Sequence, residues 1–171
     1  RELRVDLHPL VTMAMLCGAR VSALVGLKWS DVDLAAGVMV FREKGSVTRR
    51  FPISAEMRAF LSALPRATTL PHSAYVLTYI NRKAKGRPRH RITPTGGIME
   101  EWKEALRKAG IENFRFHDLR HTFATRILRQ TGNLKLTSKL LGHKKIDTTM
   151  RYAHVLQSDM LEALEAYTVT G

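Results

Sequence analysis

The sequence predicts one mainly helical α+β domain that contains a small antiparallel three-stranded sheet. A chain of 171 residues can bury one sizeable core, whereas two independent domains would be cramped. Apolar residues recur at helical spacing over most of the chain, and by this criterion the last third is almost entirely helical. Three short apolar runs in the first half have instead the length of strands. We therefore treat residues 1–171 as a single domain.

The first half is predicted to combine three helices with three strands. Ser54 is a good N-cap for the third helix because its hydroxyl can accept a free N–H of the first turn, and Pro65 ends that helix. The polar segment 42–47, which contains Gly45, is expected to be the hairpin loop between the first two strands. The predicted helices cover residues 8–19, 21–27 and 55–64, with a turn at 29–31 and strands at 38–41, 48–53 and 75–80.

The second half is predicted to consist of helices. Gly110, Gly132 and Gly142 each follow a segment of helical periodicity, and Gly is the usual residue just after a helix C-terminus. Asp147 is expected to cap a further helix, because its carboxylate can accept an N–H two or three residues on. The predicted helices cover residues 98–109, 118–129, 134–141, 147–153 and 155–167.

Simple features of the sequence exclude a transmembrane protein and give no support for secretion. The longest apolar runs, such as residues 38–41, are far too short to span a bilayer, and no segment has the order of a signal peptide. Cys17 is the one cysteine and cannot form an internal disulfide, which is typical of a reducing compartment such as the cytoplasm. Because the chain begins at Arg1 without Met, we expect a fragment of a longer protein.

The charge favours a polyanionic partner. Lys and Arg number 28 against 15 Asp and Glu, a formal net charge of +13, and nucleic acid is the commonest polyanion. The region between Met57 and Met99 has no acidic residue, and residues 82–91 contain six basic ones. We expect these six to contact DNA phosphates, the alternative being a solvated loop. They are Arg82, Lys83, Lys85, Arg87, Arg89 and Arg91.

A histidine-rich segment at residues 117–121 allows two interpretations. His117 and His121 are four residues apart and share a helix face, which is the spacing of a zinc-binding helix. The metalloprotease motif, however, requires Glu after the first His, where this sequence has Asp118. In the other interpretation His117 and Arg120, three residues apart, offer one proton-transfer group and one fixed cation. We favour the second and expect no metal site.

Three separated motifs together resemble the tyrosine recombinases, the phage integrase family. Residues 17–22 (CGARVS) and 26–33 (GLKWSDVD) resemble the first motif of that family, and residues 117–125 (HDLRHTFAT) the second. Residues 140–143 (LLGH) and 148–154 (TTMRYAH) resemble the third motif and the nucleophile motif. The resemblance extends from about Leu7 to His154, with the motifs in the order and at the spacings of the family.

The resemblance implies the fold of a recombinase catalytic domain and a metal-free active site. Arg20 and Arg120 would bind the scissile phosphate, and Tyr152 would be the nucleophile. The acidic residue that usually follows the first arginine by three positions is replaced by Ala23, which affects how Arg20 is braced. The remaining implied residues are His117, His143 and, on the hairpin where Arg42, Arg49 and Arg50 also lie, Lys44.

This set of residues suits phosphodiester chemistry for physical reasons. Two guanidiniums can bond the non-bridging oxygens of a phosphate with forked geometry and stay charged at any working pH. Such preorganised donors stabilise the charge that grows in the transition state without a metal ion or other cofactor. The Tyr152 hydroxyl, with an ordinary pKa of about 10, needs a base such as His117 or a cationic pocket. A 3′-phosphotyrosine stores the bond energy, so the strand can be resealed without ATP.

The implied activity is that of a site-specific DNA recombinase, with double-stranded DNA as its partner. The alternatives are relaxation of DNA by a type IB topoisomerase and a catalytically silent DNA-binding module, although binding alone needs no nucleophile. The resemblance also implies a separate helical DNA-binding domain before the first motif and a homo-tetramer on DNA. Residues 155–171 would then dock into a neighbouring protomer, the alternative being that this helix folds back on its own domain. The protein would be cytoplasmic, bacterial and nucleoid-associated or phage-encoded.

Overall fold

The structure is a computed structural model, and it describes residues 7–43, 47–81, 84–93 and 97–166. Its first half contains helices α1 (His8–Cys17), α2 (Val21–Gly26) and α3 (Ala55–Ala63) together with all the strands of the described ranges. The strands are β1 (Val32–Asp33), β2 (Val38–Glu43), β3 (Val47–Pro52), β4 (Thr78–Ile80) and β5 (Arg89–Arg91). The second half contains α4 (Ile98–Ala109), α5 (Asp118–Thr131), α6 (Leu134–Leu141), α7 (Asp147–Met150) and α8 (Ala153–Ala166). The predicted α+β, mainly helical class is confirmed.

A three-stranded antiparallel sheet is present, but its third strand is not the predicted one. β2 lies between β1 and β3, with Phe41 opposite Arg49 in the register. The segment predicted as the third strand forms β4 and pairs with β5 in a separate two-stranded sheet. Residues 89–91, predicted as part of a loop, are therefore a strand. β1 is too short for its periodicity to be recognised, and the residues of β5 are Arg, His and Arg, which lack the apolar signal of a strand.

The predicted helices are present, with one error at a capping residue. The Ser54 hydroxyl accepts the Met57 backbone N–H at 3.2 Å, as expected of an N-cap. Asp147 is instead the first residue of α7, because the backbone of Ile146 before it is already helical. A capping side chain acts from an extended residue outside the helix, which Asp147 is not. α7 ends at Met150, and a turn at residues 151–152 leads into α8.

A close approach between the end of α1 and α5 brings the first and second motifs together. Gly18 has a positive φ of 58° and follows α1. A Cβ atom built there would lie 2.3 Å from Cδ1 of Phe123 in α5, so a side chain at this position would displace the ring. Leu10 and Met13 of α1 and Leu128 of α5 are completely buried. The packing of these two helices thus places the start of α2 beside the start of α5.

None of the helices in the described part of the chain is long and apolar enough to cross a bilayer.

Candidate active site

Arg120 joins the first and third motifs through the backbone. Its side chain is buried, with 4% exposure, and its Nη1 donates to the carbonyl oxygen of Gly18 at 2.6 Å. Its Nη2 donates to the carbonyl oxygen of Leu141 at 2.7 Å. These carbonyls lie two residues before Arg20 and His143, respectively, so one guanidinium sets the positions of two other predicted site residues.

Arg20 is the N-cap residue of α2 and has an exposed side chain. The positive charges of Arg120 and Arg20 both lower the pKa of His117. Ala23, at the position where the family usually has an acid, is buried in the core with 4% exposure. A small apolar residue therefore packs where a carboxylate would brace Arg20.

His143 is oriented by the helix that precedes the tyrosine. Its Nδ1 lies 2.7 Å from the hydroxyl oxygen of Thr149, which is completely buried in α7. Its backbone N–H donates to the Ser138 carbonyl at 3.1 Å as the chain turns through Gly142, whose φ is 70°. The ring orientation of His143 therefore depends on the packing of α7 against α6.

Arg49 is a structural residue of the site that the sequence interpretation missed. Its guanidinium lies over the rings of Phe41 and Phe51, at 4.8 and 5.2 Å from their centroids, and donates to the carbonyl of Leu140. A Cβ atom on Gly142 would lie 2.5 Å from Cδ of Arg49, so only glycine fits there without displacing it. The alternation of residues could have indicated this position, since Arg49 and Phe51 of β3 and Ile53 just after it occupy alternate positions and are all buried.

Tyr152 lies in the turn between α7 and α8 and is 5% exposed. Its hydroxyl oxygen lies 2.6 Å from Nδ1 of His121, and burial raises the pKa of the hydroxyl. The Tyr152 backbone N–H donates to the carbonyl of Thr149 at 2.9 Å. The residue whose hydroxyl orients His143 therefore also holds the backbone of the predicted nucleophile.

His117 lies at the N-cap of α5 and is exposed. Although the residue is exposed, part of its ring is shielded from water, and this desolvation lowers the pKa of His117. Nearby His121, Arg120 and Arg20 lower this pKa further. The imidazole is therefore neutral near pH 7 and able to accept a proton. Its ring meets that of His121 edge to face, with centroids 5.3 Å apart. Within the described ranges, no three His, Cys, Asp or Glu residues are grouped so that they could hold a metal ion.

Lys44 lies outside the described residues, but the strand that leads to it is anchored. Nη2 of Arg42, in β2, donates to Oδ1 of Asp31 at 2.6 Å, and the Asp31 side chain is only 4% exposed. This bond raises the pKa of Arg42. The hairpin is thus tied to the segment that follows α2.

The predicted DNA-binding residues fall into two groups in the described part of the chain, while Arg82 and Lys83 lie outside it. Lys85 and Arg87 are exposed in the turn between β4 and β5. Arg89 donates from Nε and Nη2 to the hydroxyl and carbonyl oxygens of Thr78, both at 2.9 Å. Arg91 stacks on the Tyr75 ring at 4.5 Å and bonds its hydroxyl. That these side chains contact DNA stays a prediction.

Bonds from Arg120 to Leu141, from His143 to Thr149 and between Tyr152 and His121 connect α5, α6, α7 and the turn before α8 in this mainly helical fold. The chain belongs to the phage integrase family, whose signature it matches over residues 2–159.

Among curated proteins, the chain is similar to tyrosine recombinase XerC of Pseudomonas aeruginosa, with 36% identity over 140 residues. This match covers 81% of the chain and 44% of XerC, so the chain spans less than half the length of that relative.

Two solved structures share the fold. XerA recombinase superposes with a TM-score of 0.69 at 27% identity, covering 95% of this chain and 57% of XerA. The catalytic domain of bacteriophage HP1 integrase superposes with a TM-score of 0.62 at 28% identity, covering 97% of this chain and 84% of that domain. These relatives do not favour the topoisomerase alternative.

Proposed function

We propose that this chain is the catalytic part of a site-specific DNA recombinase that breaks and rejoins double-stranded DNA through a 3′-phosphotyrosine. The observation that carries the proposal is the shared support of Arg120, His143 and Tyr152. Arg120 bonds the end of α6, His143 follows that end, and Thr149 of α7 bonds the His143 ring and the Tyr152 backbone. One corner of the fold thus holds a guanidinium, an imidazole and a phenol, which supports these three roles.

In the proposed reaction the Tyr152 hydroxyl gives its proton to a neighbouring histidine as its oxygen attacks the phosphorus of a DNA phosphodiester. The bond from phosphorus to the 5′ oxygen breaks, and that oxygen leaves as a hydroxyl after it receives a proton. Arg20, Arg120 and His143 stabilise the negative charge on the non-bridging oxygens, and Lys44 is the proposed proton donor to the leaving oxygen. Attack by another 5′-hydroxyl reverses these steps, restores the tyrosine and joins a new strand.

A trapped covalent adduct tests the proposal directly. The chain is incubated with a nicked duplex pool of randomised sequence, and adducts are isolated under denaturing conditions and sequenced. We expect a phosphotyrosine adduct at a preferred site, in EDTA as well as without it, because the positive charge comes from side chains. Exchange between two copies of that site distinguishes a recombinase from a relaxing topoisomerase. If no adduct forms at any site, the proposal is wrong and the catalytically silent DNA-binding module is the hypothesis that remains.

The proposal has two further parts, the compartment and the assembly. With a DNA substrate and a lone cysteine, Cys17, that is completely buried, we assign the protein to the cytoplasm of a bacterium, where it acts on chromosomal or phage DNA. On DNA it works as a homo-tetramer, since strand exchange between two sites needs two pairs of nucleophiles.

DNA affinity should depend steeply on salt, and Lys85 and Arg87 should contribute to that dependence. Each phosphate contact adds about 0.9 to the slope of log K against log salt. We therefore expect the double variant Lys85→Gln with Arg87→Gln to lower the slope by about 2 on a random-sequence duplex, measured by fluorescence anisotropy. Arg89 is unsuitable for this test, because its bonds to Thr78 hold the β4–β5 hairpin.

Arg107→Gln is the matched control for charge. Arg107 is exposed on α4 and paired with Glu104 at 2.9 Å, outside the predicted DNA-binding set. Its substitution should leave the slope unchanged. An unchanged slope in the double variant as well would mean that the turn between β4 and β5 is only a solvated surface.

The part of α8 from residue 159 onwards should contribute to assembly rather than to the stability of its own domain. Val155 is buried and Leu156 packs against the core, but Met160 and Leu164 are 64% and 66% exposed. We expect deletion of residues 159–171 to leave the fold and single-site binding intact and to impair assembly and strand exchange. Thermal melting followed by circular dichroism reports the fold, and gel shifts with one-site and two-site DNA report assembly.

The double variant Met160→Ser with Leu164→Ser, made in the undeleted chain, distinguishes the effect of removing these two side chains from the effect of removing residues 159–171. It should reproduce the assembly defect of the deletion. Unfolding of the deleted chain would show instead that the helix belongs to its own core, and the docking proposal would be wrong.

A further inference from the structure

The hydrogen-bond partner of the Tyr152 hydroxyl is an unexpected histidine. The sequence predicts His117 as the base, yet in the described contacts the hydroxyl oxygen lies 2.6 Å from Nδ1 of His121. The His117 ring meets the His121 ring edge to face, and the described contacts of His117 include no hydrogen bond to Tyr152. His121 is thus the imidazole in direct contact with the atom that would attack phosphorus.

The other side of His121 faces a carboxylate. Oδ1 of Asp118 lies 4.0 Å from Nε2 of His121. Asp118 is itself held by Arg115, whose backbone N–H and Nη2 donate to the carboxylate at 2.7 and 3.1 Å. When Nδ1 accepts the hydroxyl hydrogen bond, the ring proton is on Nε2 and points towards negative charge. A carboxylate, an imidazole and a hydroxyl in this order are the arrangement that activates nucleophiles by general-base catalysis.

We propose that His121 is a further catalytic residue, which accepts the proton of the Tyr152 hydroxyl through Nδ1 as the oxygen attacks the DNA phosphate. The inference rests on the proposed function. The O–H bond of Tyr152 breaks, its electron pair forms the bond to phosphorus, and the proton resides on Nδ1 of a now cationic imidazole. On resealing, the same proton returns to the tyrosine oxygen. Asp118 stabilises the imidazolium in the interval.

The charge states of the free protein suit this transfer. Burial raises the pKa of Tyr152, so the hydroxyl keeps its proton near pH 7. Burial also lowers the pKa of His121, although the Asp118 carboxylate opposes this effect, so the ring is neutral and can accept. The titratable and charged groups that surround His121 are His117, Asp118 and Arg120 of α5, Arg115 before it, and Arg151 and Tyr152 after α7.

The first experiment measures the His121 ring without DNA. In protein labelled with ¹⁵N-histidine, NMR titration gives the tautomer and the pKa of each ring. Because the hydroxyl donates to the neutral imidazole and stabilises it, Tyr152→Phe should raise the pKa of His121. The exposed His8 should not change. A His121 ring whose tautomer and pKa are the same in both proteins would overturn the proposal, whether or not any variant is active.

The second experiment measures the rate of adduct formation at the site found with the randomised pool. In His121→Asn the amide oxygen can replace Nδ1 as a hydrogen-bond acceptor but is not a base, so we expect a loss of about 100-fold. Imidazole in the buffer should partly restore the rate of His121→Ala. A duplex with a 5′-bridging phosphorothiolate, whose sulfur leaves without a proton, should not rescue either variant. His8→Asn is the matched control.

The outcomes separate the inference from the proposed function. Absence of an adduct with the unmodified chain would contradict the function itself. An active chain whose His121→Asn variant reacts at the same rate would contradict the inference alone, because an acceptor that only positions the hydroxyl would then suffice. Rescue of the variants by the phosphorothiolate would reassign His121 to protonation of the leaving group and would equally overturn the proposal.

Discussion

Tyr152→Phe should abolish the covalent protein–DNA adduct and leave DNA binding unchanged. The substitution removes one oxygen atom, the atom that would bond to phosphorus, and keeps the ring that is buried between α7 and α8. The lost hydrogen bond to His121 costs about 1 kcal/mol of stability. A domain is typically stable by about 5–15 kcal/mol, so the variant should remain folded.

Denaturing gels measure the adduct, and fluorescence anisotropy measures binding to the same duplex. Tyr79→Phe is the matched control, because Tyr79 lies in β4 and also carries an aromatic hydroxyl. It should form the adduct at the rate of the unmodified chain. Covalent trapping of DNA by Tyr152→Phe would disprove the assignment of the nucleophile.

Arg120→Lys should reduce the rate of adduct formation by about 10²–10³-fold, the loss expected when one preorganised donor to a developing charge is removed. Lysine keeps the charge but loses the forked donor geometry. In this structure the fork also bonds the carbonyls of Gly18 and Leu141. The substitution should therefore also displace Gly18 and Leu141. The lost hydrogen bonds should lower the free energy of unfolding by about 1.5–3 kcal/mol.

The rate should be compared at a temperature where circular dichroism shows both proteins to be fully folded. Arg126→Lys is the matched control, since Arg126 lies on the same helix with an exposed side chain. It should change neither the rate nor the melting temperature. If Arg120→Lys cleaves as fast as the unmodified chain, the guanidinium has no role that its charge alone cannot fill.

The sequence by itself determined the elements whose signals are local. The N-cap at Ser54 involves only its own hydroxyl and the backbone N–H of Met57, three residues later in the chain. It is present as predicted. Gly110, Gly132 and Gly142 follow helix ends in left-handed conformations that glycine adopts without strain. The spacing within α5 was equally readable, because residues three and four apart share a face of any helix.

Tertiary structure alone decided which strand joins which sheet and which side chains meet. β5 has no apolar pattern, so its pairing with β4 depends on the turn between them and on contacts such as the bonds from Arg89 to Thr78. Asp147 is not a cap because the backbone of Ile146 before it is already helical, so the helix starts one residue earlier than its side chain suggests.

The site depended on tertiary structure even more. Arg49 and Leu140 are 91 residues apart, and the Tyr152 hydroxyl meets a histidine 31 residues earlier. Charged and polar side chains are usually exposed, so the local sequence around Arg120 and His121 does not indicate that packing will bury one and pair the other with Tyr152. The motifs therefore determined which residues could react, whereas the packing of α5 against α1 and α8 decided which atoms are in contact.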